Sequence, residues 1–269
     1  MHLEYTVLDP TGNITLLVTS PVERSLQPRV AAELLKREVS GEQVGFVEHG
    51  VSVQPRLQMM GGEFCGNATM SMGAWLCHQE GTAANTTREL LLEVSGVDVP
   101  VPCSITPMKD CSLGTVSMPL PEKVEPHTFP FGDGEVTLSV VFLPGICHII
   151  APHGTVQRHQ AESALRSWAD ALPGEAVGLL LLDEERMYFD PLVYVKSTNT
   201  MVWERGCGSG TAAIGTWFTA TRKADQCLSL KQPGGTIAVV TVWSGTAVTS
   251  LSISGTVKFG ESKSVELSI

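Results

Sequence analysis

CGNATMSMGAWL (residues 65–76) and CGSGTAAIGTWF (residues 207–218) are two versions of one segment. Five of the twelve positions are identical: Cys65/Cys207, Gly66/Gly208, Thr69/Thr211, Gly73/Gly215 and Trp75/Trp217. Met72/Ile214 and Leu76/Phe218 are like for like. Each copy reads as a helix opened by a cysteine. A helix start offers unpaired backbone N–H groups and a partial positive charge. That setting lowers a thiol's pKa and makes thiolate available near neutrality. Two such thiols, one per half of the chain, suggest a pair facing each other across a cleft.

Weaker echoes flank the two segments in the same order. Gly12–Leu17 answers Gly145–Ile150, and Val44–Val47 answers Val177–Leu180, both at an offset of 133 residues. Ser95-Gly96-Val97 answers Gly234-Gly235-Thr236 at an offset of 139, against 142 for the cysteines. Two copies are too few to stack as a solenoid. The expectation is an α+β protein of two pseudo-symmetric domains, each a sheet wrapped around a central helix. The proline-rich, charged stretch Pro119–Pro126 reads as the linker. It divides the chain into residues 1–120, with Cys65, and 121–269, with Cys207, the last strand being a candidate to pair back onto the N-terminal domain.

Short β-branched and apolar runs dominate both halves, bounded by Gly, Pro, Ser or Asp, as strands are. Two further helices are expected. Val22–Arg37 carries Val30, Leu34 and Leu35 on one face, and Gln160–Ala171 carries Ala161, Leu165 and Trp168.

With 269 residues, 43% of them apolar and 17% charged, the chain has enough interior for a core in each domain. The net charge of −10 and the lack of a Lys/Arg run disfavour nucleic acid as a partner. The start, MHLEYTVLDP, does not read as a signal peptide, and Val177–Leu182 is far too short to span a bilayer. A cytoplasmic protein that does not enter membranes is expected. Seven cysteines, an odd number without a CxxC pair, argue for free thiols rather than a disulfide framework. Cys77, Cys103, Cys111 and Cys227 lack a helix-start context and read as core or surface thiols. Cys147-His148 belongs to no zinc-like spacing, so no metal is expected.

A helix start also binds anions. The N–H groups of Gly66 and Asn67, and of Gly208 and Ser209, can hold a carboxylate, and the glycines let it approach closely. With an α-amino acid between two such sites, one sulfur is placed to remove the α-proton and the other to return a proton to the opposite face. No pyridoxal phosphate or other cofactor is needed. The dipoles stabilise charge developing on the carboxylate, and the two thiols titrate as a coupled pair. One Cys-Gly is weak evidence, because cysteine is often a small core residue. The register-matched pair is much stronger.

Beyond these residues the chain resembles the diaminopimelate epimerase superfamily, cofactor-independent racemases and isomerases of two pseudo-symmetric halves. Within it the likeness is closest to the histidine racemases of staphylopine-type metallophore biosynthesis. It runs through PTGNITLLV (10–18), EQVGFVE (42–48), GGEFCGNATMS (61–71), VGLLLLDEER (177–186), PLVYV (191–195), WERGCGSGTAAIG (203–215) and QPGGTI (232–237). The resemblance implies a histidine racemase supplying D-histidine for an opine-type metallophore. It implies Cys65 and Cys207 as the acid–base pair. It implies Asn13, Asn67 and Ser209, with the amides of Gly66 and Gly208, as substrate contacts. His148 and Glu204 match positions that tune the thiols and hold the amino group. Glu42, in the shared EQVGF segment, is the candidate for the imidazole.

Alternatives stay open at this point. His148 also reads as a core histidine beside a strand, and Glu42 as a solvated loop carboxylate. Met59–Glu63 stands where diaminopimelate epimerases carry a polar stretch, and Cys207 directly follows Glu204-Arg205-Gly206, without their extra residues. Both departures argue against diaminopimelate as substrate. Arg205 stands where a polar uncharged residue is expected and admits another amino acid. An amino-acid-binding protein without turnover would need the helix starts but not two sulfurs. A homodimer is compatible with all of these.

Overall fold

The computed structural model describes residues 1–50 and 55–268. By compactness the chain forms two units, Met1–Ser117 with Ser254–Ile269, and Met118–Ile253. The first unit holds β1 (His2–Pro10), β2 (Thr15–Val18), α1 (Gln27–Arg37), β3 (Gln43–His49), β4 (Pro55–Met59), α2 (Gly66–Gln79), β5 (Arg88–Val94), β6 (Val101–Pro107) and β7 (Ser112–Ser117). The second holds β8 (Lys123–Phe131), β9 (Gly134–Leu143), β10 (Ile146–Pro152), α3 (Arg158–Trp168), β11 (Ala176–Asp183), β12 (Tyr188–Val195), β13 (Thr200–Trp203), α4 (Gly208–Arg222), β14 (Gln226–Gln232) and β15 (Gly235–Trp243). The last strand, β16 (Val248–Glu266), gives its residues from Ser254 onward to the first unit. This is a sheet-rich, barrel-like fold with few helices. None of the described helices is long and apolar enough to cross a membrane.

In the first unit the strands follow one another from β1 to β7 and then β16, and a β1–β16 ladder closes the ring. That ladder is antiparallel, from His2↔Glu266 to Pro10↔Val257, with a bulge between Thr6 and Leu8. β2/β3 and β4/β5 are parallel, whereas β1/β2, β3/β4, β5/β6 and β6/β7 are antiparallel. Helix α2 packs against β1, β2, β5, β6 and β7. It is buried almost all round, so its hydrophobic residues show no amphipathic stripe. Helix α1 is amphipathic and covers the other side of the sheet, with Val30, Ala31 and Leu34 against Leu3, Leu16, Val44 and Phe46. It starts at Gln27 rather than at Val22, because Pro28 supplies the fixed φ of a first helical turn.

In the second unit β9/β10, β11/β12 and β14/β15 are antiparallel, and β10/β11 and β12/β14 are parallel. β8 pairs antiparallel with β9, and β13 with β12. Helix α4 is buried and packs on β15, β14, β9, β10 and β8. Helix α3 seals the other side with Ala161, Leu165 and Trp168. Trp168 is fully buried, stacks on Phe129 with ring centroids 4.9 Å apart, and donates its indole N–H to Pro130 O at 2.7 Å. Such a side chain contributes about 3–5 kcal/mol relative to alanine. The segment expected to be a linker is in part a strand. Lys123 to Pro126 pair with Phe142 to Ser139. β8 ends its sheet, where a proline's missing donor does no harm.

Candidate active site

Each cysteine is the N-cap of its unit's central helix. Cys65 (φ −136°, ψ 110°) and Cys207 (φ −108°, ψ 105°) are both extended, which turns the thiol back over the first helical turn. The Cys65 sulfur accepts from the Ala68 N–H at 3.4 Å, and the Cys207 sulfur from the Gly210 N–H at 3.3 Å. Thr69 and Thr211 each donate their hydroxyl to the cysteine carbonyl four residues back, at 2.8 Å in both helices. The shared glycines make room for strands. A Cβ on Gly73 would lie 2.9 Å from Ile105 Cγ1 of β6, and one on Gly215 would lie 2.6 Å from Val239 Cγ2 of β15. The paired cysteines and threonines of the two segments, and Gly73 with Gly215, thus make matching contacts. The loops before the helices are buttressed too. Ser95 Oγ donates to Glu63 O at 2.7 Å, and Gly234 N donates to Arg205 O at 2.6 Å.

In the first unit Cys65 is half-buried and opens a buried polar chain. Its thiol donates to Gln43 Oε1 at 3.1 Å. Gln43 Nε2 donates to Asn13 Oδ1 at 2.5 Å and to Thr15 Oγ1 at 2.8 Å. Asn13 Nδ2 donates to Glu42 Oε2 at 2.9 Å. Asn13, Glu42 and Cys65 thus come together with Gly66 and Asn67, the first two residues of α2, both buried. Glu42 is half-buried and paired with Asn13, not a solvated loop carboxylate.

In the second unit Cys207 is 3% exposed. Ser209 Oγ lies 3.5 Å from its sulfur and 2.9 Å from His148 Nε2. His148 is fully buried, and its Nδ1 has no hydrogen-bond partner. That atom faces Gly178 of β11, where a Cβ would stand only 2.2 Å away. An N–H there would be stranded, so the ring proton sits on Nε2 and donates to Ser209, leaving the serine hydroxyl to point at the sulfur. Burial holds the imidazole's pKa down at about 3, so His148 is neutral. Gln232 accepts from the Cys207 N–H at 2.6 Å and donates to Thr211 Oγ1 at 2.9 Å.

The electrostatics of Cys207 differ from those of a plain helix start. Burial, and then the Glu204 carboxylate that accepts from the thiol, push its pKa well above the usual value. Ser209 and the Gly210 N–H pull the other way, but they do not offset the loss of water. A sequence-based expectation of a lowered pKa is therefore reversed at this residue. Cys103, buried without donors, is pushed up to about 12. Two residues escaped the motif reading, Gln43 and Gln232. Both stand inside quoted segments, EQVGFVE and QPGGTI, and the signal was a glutamine at a buried strand position, where an amide must find partners. Among the described residues no three of His, Cys, Asp or Glu gather as a metal site.

A family model described as the histidine racemase CntK N-terminal domain matches residues 2–262. The chain belongs to the histidine racemase family. It is 32% identical over 246 residues to the histidine racemase of Staphylococcus aureus (strain Mu50), with 88% of each chain covered. The histidine racemase of Fusobacterium nucleatum subsp. nucleatum (strain ATCC 23726) is 28% identical over 243 residues, 87% of each. Among solved structures the fold resembles a probable proline racemase from Agrobacterium radiobacter K84, with a TM-score of 0.68, 12% identity, and 99% of this chain and 93% of that one covered. It also resembles a hydroxyproline epimerase from Agrobacterium vitis, with a TM-score of 0.69, 11% identity and coverage of 98% and 92%. In this member of the histidine racemase family, a cysteine caps the start of each of two central helices.

Proposed function

We propose that this chain interconverts L- and D-histidine without a cofactor, with Cys65 and Cys207 as a two-base pair. One sulfur, as thiolate, takes the α-proton, and the electron pair delocalises onto the substrate carboxylate. The other, as thiol, returns a proton to the opposite face of Cα. The observation that carries this reading is the matched capping geometry: two thiols, each held over a helix start by the N–H three residues on. The N–H groups at Gly66 and Asn67, and at Gly208 and Ser209, supply positive potential for the carboxylate. Asn13 and Glu42 are assigned to the substrate's side chain and orientation. His148 and Glu204 are assigned to the ionisation of the thiols and to the amino group. The reading includes two pseudo-symmetric units of the diaminopimelate epimerase type. In support, β1 to β6 and β9 to β15 without β13 run through the same succession of antiparallel and parallel pairings, with the cysteine helix following the fourth strand pair member each time, after β4 and after β12–β13.

The test is incubation with L-histidine in deuterated water. The expected result is α-deuterium in the product and D-histidine accumulating to parity. Exchange with another amino acid but not with histidine would overturn the substrate. Undiminished turnover in a Cys65→Ala, Cys207→Ala double variant would overturn the mechanism.

A further inference from the structure

The hydrogen bonds of the first unit have a direction that the carboxylate at their end imposes. Glu42 Oε2 is the acceptor at that end. Asn13 must therefore turn its Nδ2 toward Glu42, which leaves Oδ1 facing Gln43. Gln43 must in turn present Nε2 to Asn13, and the same nitrogen reaches Thr15 Oγ1. Both amide hydrogens of Gln43 are then engaged, and Oε1 is aimed at the Cys65 sulfur. Gln43 is 9% exposed, so water does not readily substitute for these partners. Each amide has one orientation that satisfies the chain, and the inverse would set nitrogen against nitrogen or oxygen against oxygen.

We propose that Gln43 is a positioning residue for Cys65: its fixed amide oxygen aims the S–H bond and favours the thiol over the thiolate. This rests on the racemase reading for its consequence, though not for its geometry. An amide oxygen accepts a hydrogen bond from a thiol but has nothing to offer a thiolate. It opposes the Ala68 N–H, which lies on the same sulfur and favours the anion. Between them the sulfur is held in one rotamer with its proton on a defined side. When Cys65 returns a proton to Cα, the S–H leaves Gln43 Oε1, and the sulfur's new charge falls to the helix start. When Cys65 has taken a proton, Gln43 recaptures the S–H.

The experiment reads Cys65 itself. Iodoacetamide alkylation of the peptide containing residue 65, followed by mass spectrometry across pH, gives the thiol's ionisation midpoint in wild type, Gln43→Met and Gln43→Glu. Removing the acceptor in Gln43→Met is expected to lower the midpoint by about 0.7 and raise alkylation near neutrality about fivefold, the size of one neutral hydrogen bond. In Gln43→Glu a charged acceptor replaces a neutral one, and the midpoint is expected to rise. A merely structural role would not order the two variants by charge. Midpoints that stay at the wild-type value, or that move the same way in both variants, overturn the proposal. Should Gln43→Met fail to fold, the sign of the Gln43→Glu shift still decides. For turnover, kcat for histidine is expected to fall about tenfold or more in Gln43→Met with KM changed far less, as for a misaimed proton-transfer group. Ordered midpoints in a protein inactive on histidine would sink the racemase reading and leave Gln43's role intact. Racemisation with unmoved midpoints would do the reverse.

Discussion

Acidification is expected to destabilise this protein through His148 before its surface carboxylates protonate. The imidazole is fully buried and neutral, with a pKa of about 3 in place of 6.5. Below pH 6.5 the unfolded chain binds a proton there that the native state refuses. The unfolded state then carries more protons, so stability rises with pH between about 3 and 6.5 and is lost on the way down. From about pH 7.5 to about pH 5 the two pKa values give a loss of about 2 kcal/mol, on a base of 1.36 kcal/mol per unit. The assay is urea unfolding at both pH values in wild type and in His148→Gln. Glutamine can offer an N–H to Ser209 and does not titrate. The variant is expected to start less stable and to lose about 2 kcal/mol less on acidification than wild type. Equal losses in the two proteins would refute the reasoning, as would an imidazole resonance titrating near 6.5 in the folded protein.

Three other outcomes follow from the same contacts. Glu204→Gln removes the charge beside Cys207 and is expected to lower the alkylation midpoint of that thiol while burial keeps it above the ordinary value, and an unmoved midpoint would discard Glu204 as a cause. Gly215→Ala drives a methyl group to 2.6 Å from Val239 Cγ2 and is expected to cost about 1–3 kcal/mol, more than Gly73→Ala, whose nearest contact is 2.9 Å. Thermal melts that rank the two in the opposite order would show that α4 shifts more freely than α2. Gly178→Ala displaces the His148 ring from Ser209, and racemisation is expected to fall on the order of 100-fold, while full activity would mean that this bond is idle.

Much of the fold could be read from the sequence because its deciding features are local. The cysteine segments announce their helices through a capping residue, a back-bonding threonine and a small residue at a strand crossing, and all three act within a few residues or at one contact. Helices α1 and α3 were legible from their apolar stripes, since each covers one side of a sheet and leaves the other wet. Strands of mixed composition declare themselves least. β6 and β8 each carry two prolines, and β14 alternates Leu228 and Leu230 with polar residues. Each pairs with a near neighbour in sequence, as β14 does with Gly235–Thr241 across a tight turn, so their own composition, not distance, conceals them. The last strand's long ladder with β1 joins residues more than 240 positions apart, and no local pattern specifies that register.

The site divides along the same line. Residues next to the cysteines in sequence were recognised because the helix start brings them together by construction. Gln43 and Gln232 were not, since a glutamine in a strand declares nothing until the fold sets it beside a thiol or a cysteine N–H. The two cysteines receive the same helix start but different second partners. Cys65 faces a neutral amide oxygen held by Asn13 and Thr15, and Cys207 faces a carboxylate and a hydroxyl oriented by a neutral histidine. A helix start stabilises an anion at either sulfur equally. What sets the two sulfurs apart starts from these unlike neighbours and from burial. In the proposed two-base reaction one sulfur must enter as thiolate and the other as thiol. Gln43 beside Cys65, and Glu204, Ser209 and His148 around Cys207, are the unlike neighbours to which that assignment is proposed to fall.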